Sequence, residues 1–395
     1  MPDRTRDAGS LGKAIAIGLA GLVLNCLAFG PWALRSAIQE MAADHPHFGD
    51  FTGFYVPACM AGSDAQYDQA SVLRVQQNIT GTVQPHLMPT RLPFYYALIR
   101  PLCAMSYVSA HRVWVLVMVL AALSAIALLS LAQGRVAIVA SLASAPLFLS
   151  ILGSQDVALL YLVLAAGLWL RKTGRPLSAG FVLSLLLIKF HLFLLLPVLF
   201  LVKREFRLLA GAVSGSLLLL GACFAVDGRD WPRRYASLVL NPVLGPGAES
   251  MPNLHGLALW FTSAGFTSAT AVETVLTVPV VAAAMWVIVR ARFPLAFGAA
   301  LLGGLLISRH AYTADCAVVV PAVIAIWQNA SAPARQIAFI CLLPFAYWLA
   351  GILNYGWVPA ILFTALLLAL TRIRSGGHGA EDSSSGVSLM VVERA

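Results

Sequence analysis

The sequence has few charged residues for its length. Asp, Glu, Lys and Arg make up 11% of the 395 residues, whereas soluble domains contain about 25%. Hydrophobic residues account for 59%, and the mean hydropathy is +0.82. A soluble globular domain cannot bury that much apolar surface. The composition therefore excludes that class and predicts an integral membrane protein.

The sequence also lacks the short motifs of common soluble functions. The six cysteines are scattered, with no C-x-x-C and no Cys/His spacing suited to zinc. It contains no P-loop, no dinucleotide-binding fingerprint and no internal repeat at a fixed period. The net charge of +9 lies in short Lys/Arg clusters between apolar runs, which indicates membrane topology and not nucleic-acid binding. Any chemistry must use the membrane domain itself.

Apolar runs predict the spans of that domain. The first run, from about residue 14 to 34, is too long for a signal peptide and is predicted to be an uncleaved first helix. Residues 35–112 form a mixed, proline-rich region, predicted as a first extracytoplasmic loop with short interfacial helices. Further helices are predicted near 113–132, 136–152, 157–170, 177–190, 191–202, 208–226, 270–290, 294–307, 312–328, 337–350 and 355–371. The total is about twelve transmembrane helices, several of them short.

The domain organisation follows from these runs. We expect one all-α polytopic membrane domain over residues 1–372, because no polar linker divides it. Residues 373–395 are rich in Gly and Ser, which predicts a disordered cytoplasmic tail.

Positive charges predict the orientation. With the N-terminus in the cytoplasm, alternation of the spans collects one set of cations on the inner side: Arg135, Arg171, Lys172, Arg175, Lys203, Arg204, Arg207, Arg290, Arg292, Arg335, Arg372 and Arg374. The unusual polar residues then fall on the outer side. We therefore expect a multi-pass plasma-membrane protein with both termini in the cytoplasm and its site facing outward.

Two cysteines lie in the predicted outer loop. Cys59 and Cys103 are candidates for a disulfide, but their spacing alone does not establish one. The simpler interpretation, two unpaired small residues, is favoured.

A carboxylate among aromatic residues follows the first helix. Asp50 begins Asp50-Phe51-Thr52-Gly53-Phe54-Tyr55. It is either the N-cap of a short helix, a role that Asp often fills, or a catalytic group at the mouth of a cavity.

Two other polar clusters interrupt apolar sequence. Lys189 and His191 lie within one apolar run, where Lys189 either reaches the lipid headgroups or contacts a ligand. Arg309 and His310, with Asp315 close behind, are either a solvated loop or a guanidinium and an imidazole that face a phosphate. His255 is an isolated loop histidine for which neither interpretation is favoured.

The order of these motifs resembles the GT-C superfamily of glycosyltransferases, and more narrowly glycosyltransferase family 87. The segments that carry the resemblance are Asp50-Phe51 with Phe54-Tyr55, Tyr67-Asp68, Ser154-Gln155-Asp156, Lys189, and Ser308-Arg309-His310 with Tyr312. The likeness covers about residues 14–371. This family often has Tyr-Tyr where this chain has Phe54-Tyr55, and Gly-Gln where it has Gly153-Ser154-Gln155.

The resemblance implies an inverting membrane glycosyltransferase. Its donor would be a polyprenyl-phosphate hexose, with mannose expected, and its acceptor a lipid-linked sugar or glycan at the outer face among membrane lipids. By position Asp50 would be the general base, and Lys189, His191, Arg309, His310, Tyr55, Gln155 and His255 would bind the donor phosphate or substrate. No cofactor is expected, because no paired carboxylates beside Asp50 demand a divalent ion, although such an ion is compatible with the chemistry.

Two other functions remain open from the sequence. In a transporter or lipid-linked glycan flippase, Lys189, Arg309 and Asp50 would be coupling or recognition charges. Such proteins often have inverted repeats, which this sequence lacks. A polymerase or ligase of whole glycans would keep the enzyme class and change the reaction.

Overall fold

A computed structural model describes residues 4–42, 48–240, 247–265 and 268–372, and within these ranges the regular structure is helical. The α-helices are α1 Arg4–Ala42, α2 Asp50–Met60, α3 Gln69–Thr80, α4 Pro93–Ile99, α5 Tyr107–Gln133, α6 Val136–Leu142, α7 Ala145–Leu152, α8 Val157–Lys172, α9 Pro176–Leu183, α10 Leu196–Val202, α11 Phe206–Asp227, α12 Trp231–Val239, α13 Leu254–Ser263, α14 Ala269–Arg290, α15 Phe293–Ile307, α16 Val320–Asn329, α17 Ala332–Ile340, α18 Pro344–Leu353 and α19 Trp357–Thr371. Short 3₁₀ segments span Asp64–Tyr67, Arg100–Ala104, Ser184–Leu192, Ala248–Ser250 and Thr313–Val319. The predicted tail, residues 373–395, lies outside the described residues.

Several helices are long and apolar enough to cross a membrane. Among the described residues these are Ser10–Ser36 of α1, α5, α11 and α14, and the bent pair α17–α18 passes the same test together. Shorter apolar helices of 10–17 residues accompany them. The chain is therefore an all-helical, multi-pass membrane protein, and the number of about twelve spans stays a prediction.

Prolines explain why some predicted spans are interrupted. The span predicted near 136–152 is two helices, α6 and α7, because Pro146 lies in the first turn of α7 and cannot continue a preceding helix. Pro344 in the same way begins α18 after α17, with a bend of 43° between the two helices. Apolar length alone does not reveal such breaks.

The region between α1 and α5 contains the predicted short helices, but its two apolar ones are buried in protein. Residues Phe51 to Ala58 of α2 are all buried, as are most of α4. The favoured interpretation of two unpaired cysteines is wrong: Cys59 and Cys103 form a disulfide that joins α2 to the 3₁₀ segment Arg100–Ala104. The sequence could not show this, because the pairing depends on how α2 folds back over the later segment.

Helices α9 and α11 pack closely through glycines. A Cβ atom at Gly180 would lie 1.9 Å from the carbonyl oxygen of Leu208, and one at Gly211 would lie 2.0 Å from that of Leu177. Small residues allow such backbone approach in membrane helices. This contact fixes the 3₁₀ segment Ser184–Leu192, which follows α9.

Many of the predicted inner-side cations gather at one end of the bundle. Lys172 Nζ donates to the carbonyl oxygens of Leu131 and Ala132 at the end of α5, 3.1 and 2.8 Å away. Lys203 Nζ donates to the carbonyl oxygens of Val289 and Ala291, 3.1 and 2.6 Å away, at the end of α14. Arg171 pairs with Glu205 and stacks on Phe293. We call this region the basic end.

Candidate functional site

Four buried charges form a network at the other end of α8. The carboxylate of Asp156 accepts from Arg91 Nε at 2.8 Å and pairs with Lys189 Nζ at 3.1 Å. Lys189 Nζ also donates to Asp315 Oδ1 at 2.5 Å. Each of the four residues is at most 6% exposed. Two positive and two negative side chains thus compensate each other, which buried charges require. We call these four residues the charge network.

A break in the chain delivers Lys189 to this network. The 3₁₀ segment Ser184–Leu192 loses helical backbone geometry at Lys189, where φ is −132° and ψ is 55°. Irregular backbone among apolar helices is tolerated where it is buried in protein or lines a cavity. The break directs the ammonium group toward Asp156, immediately before α8, and toward Asp315, early in the 3₁₀ segment Thr313–Val319.

Backbone contacts hold the other network members. Asp315 Oδ2 accepts from the backbone N–H of Tyr312 at 2.9 Å. The backbone N–H of Arg91 donates to the hydroxyl of Tyr96 at 3.0 Å. Asp156 lies between two cations, and although its burial alone would raise its pKa, Arg91 and Lys189 hold that pKa below its usual value.

Asp50 lies at the start of α2, where the flanking residues Phe48 and Phe51 pack on aromatic rings of α5. Phe48 stacks on His111 with ring centroids 3.9 Å apart, and Thr52 Oγ1 is 2.6 Å from the hydroxyl of Tyr107. Gly49 occupies the N-cap with φ of 50°, a left-handed value that glycine adopts readily. No side chain caps this helix, so the interpretation of Asp50 as a mere N-cap does not hold.

All four residues of the charge network affect the pKa of Asp50. Burial raises its pKa to about 6; Lys189 and Arg91 oppose this increase, while Asp156 and Asp315 add to it. A carboxylate with a pKa near the working pH is well suited to accept a proton. The arrangement can therefore provide a general base at neutral pH.

His255, Glu273 and Arg309 form a second cluster, which joins two other predicted residues and which we call the outer cluster because Arg309 is exposed at the protein surface. Glu273 of α14 accepts from His255 Nδ1 at 2.9 Å through one oxygen and lies 3.3 Å from Arg309 Nε through the other. The side chain of Arg309 is 70% exposed, so its guanidinium reaches the surface. The sequence placed His255 and Arg309 on the same face, and the structure joins them through Glu273.

Two histidines lie between this cluster and the charge network. The rings of His191 and His310 meet edge to face with centroids 6.1 Å apart, and His310 packs on Tyr312 at 5.2 Å. Burial lowers the pKa of His310 to about 4, which keeps it neutral at pH 7. Both imidazoles therefore lie beside the network, as their positions near Lys189 and Asp315 predict.

The last two predicted residues have different surroundings. Gln155 Oε1 is 3.4 Å from Lys189 Nζ, so it lies at the charge network. Tyr55 is buried against Phe51 and Tyr107, and its hydroxyl donates to the carbonyl oxygen of Met105 at 3.0 Å. Tyr55 thus belongs to the aromatic packing between α2 and α5 that follows Asp50.

Sequence reasoning missed Arg91 and Glu273. Arg91 lies in a proline-rich stretch that predicted only a loop, and its partner Asp156 is 65 residues away. Glu273 lies near the start of an apolar helix, where a search for lone charges in apolar sequence would have selected it. No such signal marks Arg91, because the sequence around it is mixed and rich in proline. Among the described residues, no group of three or more His, Cys, Asp or Glu side chains is placed to hold a metal ion.

One comparison with known proteins gives a match. The sequence model described as glycosyltransferase family 87 matches residues 92–309, more than half of the chain. The matched range includes Gln155, Lys189, His191, His255 and Arg309. Asp50, Arg91 and His310 fall outside it. No curated protein and no solved structure matches the chain.

Proposed function

Because the chain belongs to glycosyltransferase family 87, we propose that it transfers a hexose, mannose as the first candidate, from a polyprenyl-phosphate donor to a lipid-linked or glycan acceptor. The family makes the protein a membrane glycosyltransferase. The observation that supports the finer proposal is Asp50, held at the start of α2 beside four buried charges. The proposed fold is of GT-C type with about twelve spans.

The proposed reaction is one direct displacement. Asp50 accepts the proton of an acceptor hydroxyl while that oxygen bonds to the anomeric carbon of the donor sugar. The bond between that carbon and the phosphate oxygen breaks, and the electron pair leaves with the polyprenyl phosphate. Attack opposite the leaving group inverts the anomeric centre. The phosphate already activates the sugar, so this step needs no nucleotide-binding fold, and it is compatible with a divalent ion at the phosphate.

In this proposal, cations at two depths stabilise the leaving phosphate in different ways. Arg309 is exposed, and its planar guanidinium suits a phosphate at the mouth of the site. Lys189 and Arg91 lie deeper and are already matched by Asp156 and Asp315. They would stabilise developing negative charge through the preorganised network and not as unpaired ligands. His255 would orient Glu273 and hence Arg309.

Two features support the proposed side of the membrane. Structural disulfides persist in oxidising surroundings, and Cys59–Cys103 joins α2, which carries Asp50. The basic end lies at the opposite end of α8, whose 16 residues span about 24 Å. Together with the positive-inside rule, these features support an outward-facing site in the plasma membrane.

Transfer can be tested with purified protein in lipid nanodiscs. We expect labelled product from radiolabelled polyprenyl-phosphate mannose, or from another polyprenyl-phosphate hexose in a panel, when a membrane glycolipid fraction supplies the acceptor. Asp50→Asn should lower the rate by about 10²–10⁴-fold, the usual contribution of a general base. Asp230→Asn is the matched control, because the Asp230 side chain is 78% exposed.

Three results would contradict the proposal. Full activity of folded Asp50→Asn would show that Asp50 is not the general base. Labelled product from a nucleotide sugar alone would show that the donor is not lipid-linked. Movement of a fluorescent polyprenyl-phosphate sugar across vesicles, without any covalent product, would favour a flippase.

A further inference from the structure

His191 has a buried polar atom that no described residue satisfies. Its Nε2 is inaccessible to solvent and has no hydrogen-bond partner among the described residues. The ring is held edge to face between Phe190, with centroids 5.8 Å apart, and His310. Buried polar atoms are almost always hydrogen-bonded, and an exception at a candidate site points to a ligand.

The charges near His191 indicate what that ligand is. The ring is close enough to Arg91, Lys189 and Asp315 to interact with each of them electrostatically. The two cations are matched by Asp156 and Asp315, and ionised Asp50 adds one further negative charge to the same region. His310 adds no positive charge, because it is neutral at pH 7. Such surroundings suit a neutral hydroxyl better than a phosphate.

We propose that His191 Nε2 hydrogen-bonds one hydroxyl group of the donor hexose, which makes His191 a residue that determines sugar specificity. This inference rests on the proposed glycosyl transfer. A site built to hydrogen-bond a substrate hydroxyl rejects the analogue that lacks it, because the buried partner is then left unpaired. An imidazole nitrogen can accept the hydroxyl proton or donate its own, according to its tautomer.

The position of His191 favours the donor sugar over the acceptor. Asp50, which receives the acceptor proton, interacts with Lys189, Arg91, Asp156 and Asp315. His191 interacts with His310 as well as with Arg91, Lys189 and Asp315, and therefore lies toward the outer cluster that contains Arg309. In a direct displacement the donor sugar lies between the base and the phosphate. If the sugar lies between Asp50 and the phosphate at Arg309, His191 lies beside the sugar.

The test measures transfer from the working polyprenyl-phosphate hexose and from its 2-, 3-, 4- and 6-deoxy analogues. Wild-type protein should lose about 10–100-fold in kcat/KM for one of these analogues. His191→Phe keeps a ring and removes the nitrogens. It should lose a similar factor with the intact donor and should no longer distinguish that donor from the one analogue. His191→Gln, which restores an amide near Nε2, should recover part of the discrimination.

Controls separate this role from packing and from the overall reaction. The control variant is His86→Phe, which changes a partly exposed histidine in the loop before α4 and should retain the wild-type profile.

An equal loss for His191→Phe with every donor, including all four analogues, would overturn the hydroxyl assignment in favour of phosphate or packing. Altered discrimination among deoxygenated acceptors, with none among donors, would overturn the donor assignment. Unchanged discrimination in both His191 variants would overturn the role of His191 and leave glycosyl transfer intact. Absence of transfer by wild-type protein from any polyprenyl-phosphate hexose would overturn the proposed function, and this inference with it.

Discussion

The two ends of the helix bundle use the same residue types in opposite ways. At the site, Lys189 is 3% exposed and its charge is matched by two carboxylates. At the basic end, Lys203 is only partly buried and donates to the carbonyl oxygens that end α14. Cations at helix C-termini are weakly stabilising and remain in contact with water. The contrast shows that the site holds charge at a cost of desolvation that the basic end avoids.

The largest difference should appear when each lysine loses its charge. Lys189→Met leaves Asp156 and Asp315 with less compensation inside the protein, and breaking a buried pair costs about 3–5 kcal/mol. Lys203→Met removes a partly exposed contact and should cost less than about 1 kcal/mol. The free energy of unfolding in detergent, measured by denaturant titration for both variants, gives the comparison.

A double variant sharpens this result. Lys189→Met combined with Asp315→Leu removes a cation and an anion together, so we expect part of the lost stability to return. Equal costs for Lys189→Met and Lys203→Met would show that the charge network does not act as a buried unit.

The disulfide should have the next largest effect. It closes a loop with a sequence separation of 44 at the site end. In the chain-entropy account, replacing both cysteines by alanine should lower the free energy of unfolding by about 4 kcal/mol. Cys26→Ala, an exposed free cysteine of α1, should change it little. Equal melting temperatures for oxidised and reduced wild-type protein would contradict the expectation.

The pH dependence of transfer depends on Asp50. Its pKa is raised to about 6, so the base is mostly ionised at pH 7 and becomes protonated as the pH falls. We expect kcat/KM to drop about tenfold for each pH unit below 6. Lys203→Met, at the basic end, should leave this profile in place. A kcat/KM that stays constant between pH 5 and 7.5 would show that Asp50 is not the base.

The smallest effect is expected at the ion pair of the basic end. Arg171 and Glu205 are 31% and 23% exposed, and such partly exposed pairs contribute about 0–1 kcal/mol. Glu205→Gln should therefore change the melting temperature only slightly, and salt should reduce the difference further. A loss comparable to that of Lys189→Met would show that the charges of the basic end are as important for stability as those of the charge network.

The sequence identified more of the residues that meet at the candidate site than of the helix boundaries. The low charge content predicted a membrane protein, and the apolar runs predicted that it is helical. The positive clusters predicted that Lys172 and Lys203 share an end, because these signals depend on local composition. The break at Pro146 was not predicted, since apolar length does not report backbone geometry. The boundary predicted between the spans 177–190 and 191–202 lies close to the observed break at Lys189. Asp50 and Lys189 stood out as ionisable groups in apolar surroundings. Their partner Arg91 did not, because the pairing with Asp156 exists only after distant segments meet.

The charge network also constrains how the protein is made. The apolar segment that carries Lys189 must enter the membrane while the chain is still being synthesised, and an uncompensated lysine at membrane depth costs several kcal/mol. Asp156 precedes Lys189 and is already present, but Asp315 follows it by 126 residues. The ammonium group therefore has one carboxylate partner during insertion and gains the second only near the end of translation. We therefore expect α8 to stay next to the segment Ser184–Leu192 during synthesis until the last third of the chain arrives.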